Sequence, residues 1–171
     1  LSQRLSTPRR TMVDAIRPKI SSAELEALAA VHDPDDVRRR LREVFSSSTQ
    51  EEDVVGDLYF YVYSFGRERA FTTRKLATFL TLCHDAFLRD TSTNDPLATF
   101  EKSYQTFETL LIKHSVERPP WSVGIFDEAD VKAIVDFVLH DYYRHHRLYK
   151  SLFTARLSAR LDQSHLSVQC P

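Results

Sequence analysis

At 171 residues, with 42% hydrophobic and 27% charged side chains, the chain is one domain's worth of globular protein with residues left over for arms. Three glycines are too few for the turns of a barrel or sandwich and leave no glycine-rich phosphate loop. Two cysteines, Cys83 and Cys170, make neither a disulfide framework nor a zinc quartet and fit a reducing compartment.

No apolar run reaches the roughly 18 residues a membrane span needs, and no signal peptide is visible, so no membrane partner is expected. A start at Leu1 rather than Met fits a piece of something longer. The net charge of −1 is unevenly spread. Arg4, Arg9, Arg10, Arg17 and Lys19 against Asp14 give residues 1–20 a charge of +4. Arg144, Arg147, Lys150, Arg156 and Arg160 against Asp162 give 142–171 the same, which leaves −9 for 21–141. Basic ends on an acidic body suit acidic partner surfaces, or are simply solvated.

Residues 1–20, with Pro8 and Pro18, read as an extended arm. Ser21 stands three before Glu24, a capping box opening a short helix over 21–31. In HDPDDVRRRLREVF (32–45) Asp33 can cap, Pro34 suits the first helical position, and the arginines favour the C-terminal end. Residues 46–70 contain LYFYVYSF, strand-like by propensity, but Thr49 followed by Glu52 is a capping signal, so a helix buried nearly all round is expected. In 71–90, Leu76, Phe79, Leu80, Cys83 and Phe87 fall on one helix face. A helix over 94–115 starts with Asp95 as cap and Pro96 first, and Leu97, Phe100, Tyr104, Phe107 and Leu111 form a narrow stripe for packing along another helix. Asp127 caps a helix with Val131, Ile134, Val135, Val138 and Tyr142 on one face, and RLYKSLFTARLSARL (147–161) reads as a short amphipathic helix before a tail. The fold class is all-α: a compact bundle of five or six helices with extended N- and C-terminal arms. The divisions are a basic arm at 1–20, a helical domain at 21–154, and an amphipathic segment and tail at 155–171.

Between the last two long helices lies KHSVERPPWSVGIF (113–126), with the only tryptophan and two adjacent prolines. Pro119 and Pro120 fix an extended corner. Trp121, Ile125 and Phe126 can plug the bundle, with a hydrophobic staple from Phe126 to Val131. Alternatively Arg118 and Trp121 face outward with Tyr149, Lys150 and Phe153 and meet a neighbour.

Three chemistries deserve weighing. His84–Asp85 and His140–Asp141 are the paired residues that all-α metal-dependent phosphohydrolases use, with His32 as a further ligand, but a two-residue match arises often by chance. His140, Asp141, His145 and His146 lack zinc-protease spacing and are explained by the preference for cationic His near a helix C-terminus. Cys83 lies on the apolar stripe as a small core residue. YYRHHRLYK (142–150) has the basic and aromatic mixture of an RNA-binding segment, yet carries no nucleic-acid motif, and Tyr and Arg equally favour protein interfaces. No cofactor, metal or nucleic acid is expected.

Taken together, FTTRKLATFLTLCHDAF and LLIKHSVERPPWSVGIFDEADVKAIVDFVLHDYYRHHRLYKSLFT resemble the CLAMP family, typified by a subunit of a projection on the ciliary central-pair microtubules. The likeness rests on the Phe-Thr helix start, Arg118–Pro119–Pro120–Trp121–Ser122 after a His-Ser, Phe126 before an acidic cap, and Tyr143, Arg144, His145, Leu148, Tyr149, Lys150 and Phe153 in order. It spans about residues 54–154. The resemblance implies a non-enzymatic structural or adaptor subunit of the motile cilium or flagellum axoneme, in a central-apparatus projection or radial spoke, supporting motility. Its partners would be other axonemal proteins, including a calmodulin-containing assembly. The residues expected to bind a partner are Arg118, Pro119, Pro120, Trp121, Tyr143, Arg144, His145, Tyr149, Lys150 and Phe153. The alternatives are the metal-dependent phosphohydrolase and the RNA-binding helical domain.

Overall fold

The computed structural model of the protein describes residues 18–45, 52–91, 99–118 and 124–153. They form α1 (Ser22–Ala29), α2 (Pro34–Phe45), α3 (Glu52–Glu68), α4 (Thr73–Thr91), α5 (Phe100–Lys113), α6 (Glu128–Phe137) and α7 (His146–Phe153). A π turn over Val138–Tyr142 and a 3-10 turn over Tyr143–His145 join α6 to α7 without a break, so the described residues make six helical runs and no strand.

Local chemistry sets most helix starts. Ser21 accepts from the Glu24 amide at 3.2 Å while Glu24 accepts from the Ser21 amide at 2.7 Å, completing the expected capping box. Asp33 accepts from the Asp35 amide at 3.2 Å, and Pro34 takes the first helical position, where its missing N–H costs nothing. Asp127 and Asp130 cap α6 reciprocally, and Lys75 of α4 pairs with both carboxylates, tying the two helices together. The start of α5 differs from expectation. Thr99 is its N-cap, accepting from the Lys102 amide, so the helix begins at Phe100 rather than Pro96. Asp95 and Pro96, like Thr49 and residues 1–17 and 154–171, lie outside the described residues. The last residues of the expected N-terminal arm belong to the bundle instead: Ile20 is buried and the Lys19 amide donates to the Thr81 hydroxyl at 3.1 Å.

The aromatic run of α3 is helical, but not buried all round. Val55, Leu58, Tyr59, Val62 and Tyr63 are buried, whereas Asp57 and Tyr61 face solvent. The helix ends in a Schellman turn: the Phe71 amide donates to the Gly66 carbonyl at 2.9 Å and the Ala70 amide to Arg67 at 3.0 Å. This geometry puts Ala70 at φ 53°, the left-handed position that usually falls to glycine. Gly66 sits beneath it for a different reason: a Cβ there would come within 2.5 Å of Leu76 Cδ1, so its absence lets α3 and α4 close together.

The expected single apolar face of α4 turns out to be a whole circumference. Every residue from Leu76 to His84 is buried, and so are Ala86, Phe87 and Asp90. The helix packs against α1, α3, α5 and α7 and is the hub of the bundle. A helix enclosed in this way must satisfy its own polar side chains. The Thr78 and Thr81 hydroxyls donate back to the Arg74 and Ala77 carbonyls, at 2.9 and 2.8 Å. His84 Nδ1 meets the Tyr59 hydroxyl at 2.7 Å. An aromatic cluster joins the hub to its neighbours: Phe65 of α3 stacks on Phe137 of α6 at 4.3 Å, and both pack against Phe79.

Burial first, and the nearby Lys19 ammonium second, hold the His84 imidazole down to about 4. The neutral ring and the Tyr59 hydroxyl share one hydrogen bond through Nδ1. Folding stability linked to this group is therefore fully present above pH about 6.5, and is lost as the pH falls toward 4, by on the order of 3 kcal/mol. Urea unfolding at pH 7 and pH 4.5 should show a larger acid loss for the native chain than for His84→Gln; equal losses would refute the linkage. Ala70→Gly should raise stability by about 0.5–1 kcal/mol, seen as a higher Tm, because it relieves the left-handed strain. A lower Tm would contradict the geometry.

Candidate protein interaction surface

The segment VLHDYYRHH (138–146) contains two consecutive tyrosines, and the fold needs both inside. On a regular helix, neighbouring residues point about 100° apart, and one of them would face outward. The wide π turn followed by the tight 3-10 turn re-aims them. Tyr142 and Tyr143 are each only 5% exposed. The Tyr142 hydroxyl donates to Asp90 of α4 at 2.7 Å, and the Tyr143 hydroxyl pairs with Ser103 of α5 at 3.0 Å. Burial first, and the Asp90 carboxylate after it, pushes both phenols far above their usual range, so both keep their protons. His146, also buried, brings Nε2 to 3.5 Å from the same Asp90 oxygen. Three helices are thus locked at one corner by polar contacts in an otherwise apolar interior.

This corner fixes how α7 lies. The Tyr149 ring stacks on Tyr142 at 5.5 Å and meets Phe87 of α4 edge-on at 6.1 Å. Phe153 meets Phe87 edge-on at 5.1 Å. His146, Tyr149 and Phe153 therefore make the inner face of α7.

The ten residues read as one partner surface consequently divide. Tyr143 is in the core and has no exposed face to offer a neighbour. Tyr149 and Phe153 are half-buried and turned inward against α4. Arg144 and Arg118 are exposed, while His145 and Lys150 are half-buried. His145 sets Nδ1 3.1 Å from the Asp141 carbonyl. Pro119, Pro120 and Trp121 lie outside the described residues. On either side of them, the His114 carbonyl accepts from the Ile125 and Phe126 amides at 2.6 and 3.1 Å. Phe126 is buried, its ring 6.2 Å from Phe71, as expected of a residue plugging the bundle.

The sequence reading missed Leu148 and Leu152. They are 65% and 42% exposed, and stand one turn apart on the outer side of α7. The signal was present as two interleaved pairs at four-residue spacing, Tyr149 with Phe153 and Leu148 with Leu152. Only one pair can face the core, and the aromatic pair buries more area.

The candidate chemical groups are occupied otherwise. His84 is committed to Tyr59, and the Cys83 thiol is buried, which pushes its pKa up and keeps it protonated. His140 and His32 are exposed, with Nδ1 against the Asp136 and Ala30 carbonyls. Among the described residues no three His, Cys, Asp or Glu side chains converge as a metal site, and no helix is long and apolar enough to cross a membrane.

Removing the Tyr142 hydroxyl would strand a buried carboxylate, so Tyr142→Phe should cost about 2 kcal/mol in urea unfolding, against about 1 kcal/mol for Tyr143→Phe, which strands only a serine hydroxyl. The reverse order would show that Asp90 is satisfied elsewhere. The hub, the tyrosine corner and the outward ridge of α7 all fall inside one region of known relationship. Residues 61–161 match the family model CLAMP, described as flagellar C1a complex subunit C1a-32. The match begins and ends seven residues later than the stretch marked out by motif order, and extends past Phe153 into the C-terminal segment. The chain belongs to the CLAMP family.

Proposed function

We propose that this protein is a non-enzymatic structural and adaptor subunit of the motile cilium or flagellum, built into a projection of the central apparatus and supporting motility by holding neighbouring axonemal proteins in place. The observation that carries this reading is the family match over 61–161, whose description is a subunit of a flagellar complex. It covers the hub helix, the tyrosine corner and α7 as a unit. The physical design supports it. Polar side chains at the centre of the bundle pair with one another, Tyr59 with His84 and Tyr142 with Asp90, which stiffens a scaffold. The side chains left facing solvent near α7 are arginines and leucines, which suit association. Arg118 and Arg144, both exposed, are the described members of the expected contact set best placed to meet a neighbour. Any calcium response would come through a calmodulin-containing partner assembly. The metal-dependent hydrolase and RNA-binding readings have no comparable support, since His84 is engaged by Tyr59, His140 sits against the Asp136 carbonyl, and Tyr143 is withdrawn from the surface.

The test is the position of a tagged full chain in a motile ciliated cell after detergent extraction. Retention on the axoneme at the radius of the central pair is expected. Retention at the radial spokes or doublets would move the assignment to those structures, and release into the soluble fraction with no ciliary signal would overturn it.

A further inference from the structure

The outer side of α7 exposes two leucines beside basic side chains. Leu148, 65% exposed, is the most exposed large hydrophobic side chain described, and Leu152 follows one turn later. Arg144, in the 3-10 turn that leads into α7, is exposed, and so are Arg147 and Ser151. All five face away from the bundle because His146, Tyr149 and Phe153 hold the opposite side of the helix against α4 and Tyr142. From Tyr142 to Phe153 the chain carries Arg144, Arg147 and Lys150 and no carboxylate. The acidic groups that act on this helix come from other elements: Glu101 on the Arg147 side, and Asp57 and Asp141 on the Tyr149 side.

We propose that this ridge is a docking site for an amphipathic helix of another axonemal protein, with leucine-type side chains straddling Leu148 and Leu152 and acidic side chains meeting Arg144 and Arg147. The proposal rests on the adaptor reading above and names the kind of partner that reading requires. Two leucines at four-residue spacing form a ridge that seats in the groove of a facing helix. Their exposure costs the free chain solubility, whereas covering them returns apolar burial. The charge decides which helix. A basic partner would meet two arginines across a short distance and be repelled, whereas an acidic one gains in encounter rate and register. Because α7 is anchored through its other face, the ridge is preformed and loses little freedom when it is covered.

The experiment titrates the purified full chain into a fluorescent helical peptide of roughly 20 residues carrying a leucine stripe flanked by glutamates. The same stripe flanked by lysines, and vesicles of phosphatidylserine, serve as competitors in kind. The acidic peptide should bind at least about tenfold more tightly than the basic one, and lose about tenfold with Leu148→Ser plus Leu152→Ser or with Arg144→Glu plus Arg147→Glu. These four side chains are at the surface, so the variants should keep the native circular dichroism and Tm. Tyr149→Ala, which loosens the anchored face, should lower Tm as well as binding. In the ciliated cell, the double serine variant should fold and yet be lost from the axoneme. Equal binding of both peptides, indifference to the leucines, or preferential binding of vesicles through the same residues would overturn the proposal. Loss of the native chain itself from the axoneme, with peptide binding intact, would instead count against the ciliary assignment and leave the ridge standing.

Discussion

A helix enclosed on every side can carry only those polar side chains for which it finds partners, and the architecture follows from how α4 does so. Its buried threonines donate back to its own backbone, and the Thr81 hydroxyl also accepts from the Lys19 amide. His84 and Asp90 cannot do this. Each draws a tyrosine from another part of the chain, Tyr59 from α3 and Tyr142 from the turn before α7. These two contacts sit toward the C-terminal half of the hub, while Lys75 near its start holds the capping box of α6. A stranded buried carboxylate or imidazole costs more than most single apolar contacts contribute. The polar pairs therefore select one arrangement of helices from the several that apolar packing alone would permit.

The same constraint explains the departure from regular helix at 138–145. A continuous helix from Asp127 would direct one of the paired tyrosines outward and leave either Asp90 or Ser103 without its partner. The π and 3-10 turns resolve this by shifting the phase of the helix, and the shift sets the rotation of α7. Rotation of α7 in turn decides what the protein shows to its neighbours: Tyr149 and Phe153 go in, Leu148 and Leu152 come out. An internal hydrogen bond thus determines the chemistry of an external surface some turns away.

Much of this was legible in the sequence. Capping chemistry at Ser21, Asp33 and Asp127 is local, needing only neighbours three residues away, and it read correctly. So did the all-α class and the helical state of LYFYVYSF. The family resemblance was carried by motif order and is matched by the family model over 61–161. What did not read through was whatever depends on phase or on enclosure. The start of α5 moved because Thr99, not Asp95, makes the cap. The buried circumference of α4 was hidden because Thr78, Thr81 and His84 look like a polar face until their partners are known. Tyr143 was assigned to a partner surface from the basic and aromatic mixture of 142–150 and from motif order, neither of which carries the phase that the π and 3-10 turns set.

The central claim is that α7 is held to the hub as part of the folded unit, with its rotation fixed by the tyrosine corner. Amide hydrogen exchange across the full chain tests it most directly. Backbone amides of the later part of α7, near Tyr149 to Phe153, should be protected together with those of α4 around Phe79 to Phe87, and Tyr142→Phe should release α7 first while α4 stays protected. Exchange of α7 at the rate of a free peptide in the native chain, beside a fully protected α4, would contradict the account, because an unanchored helix could present no fixed ridge.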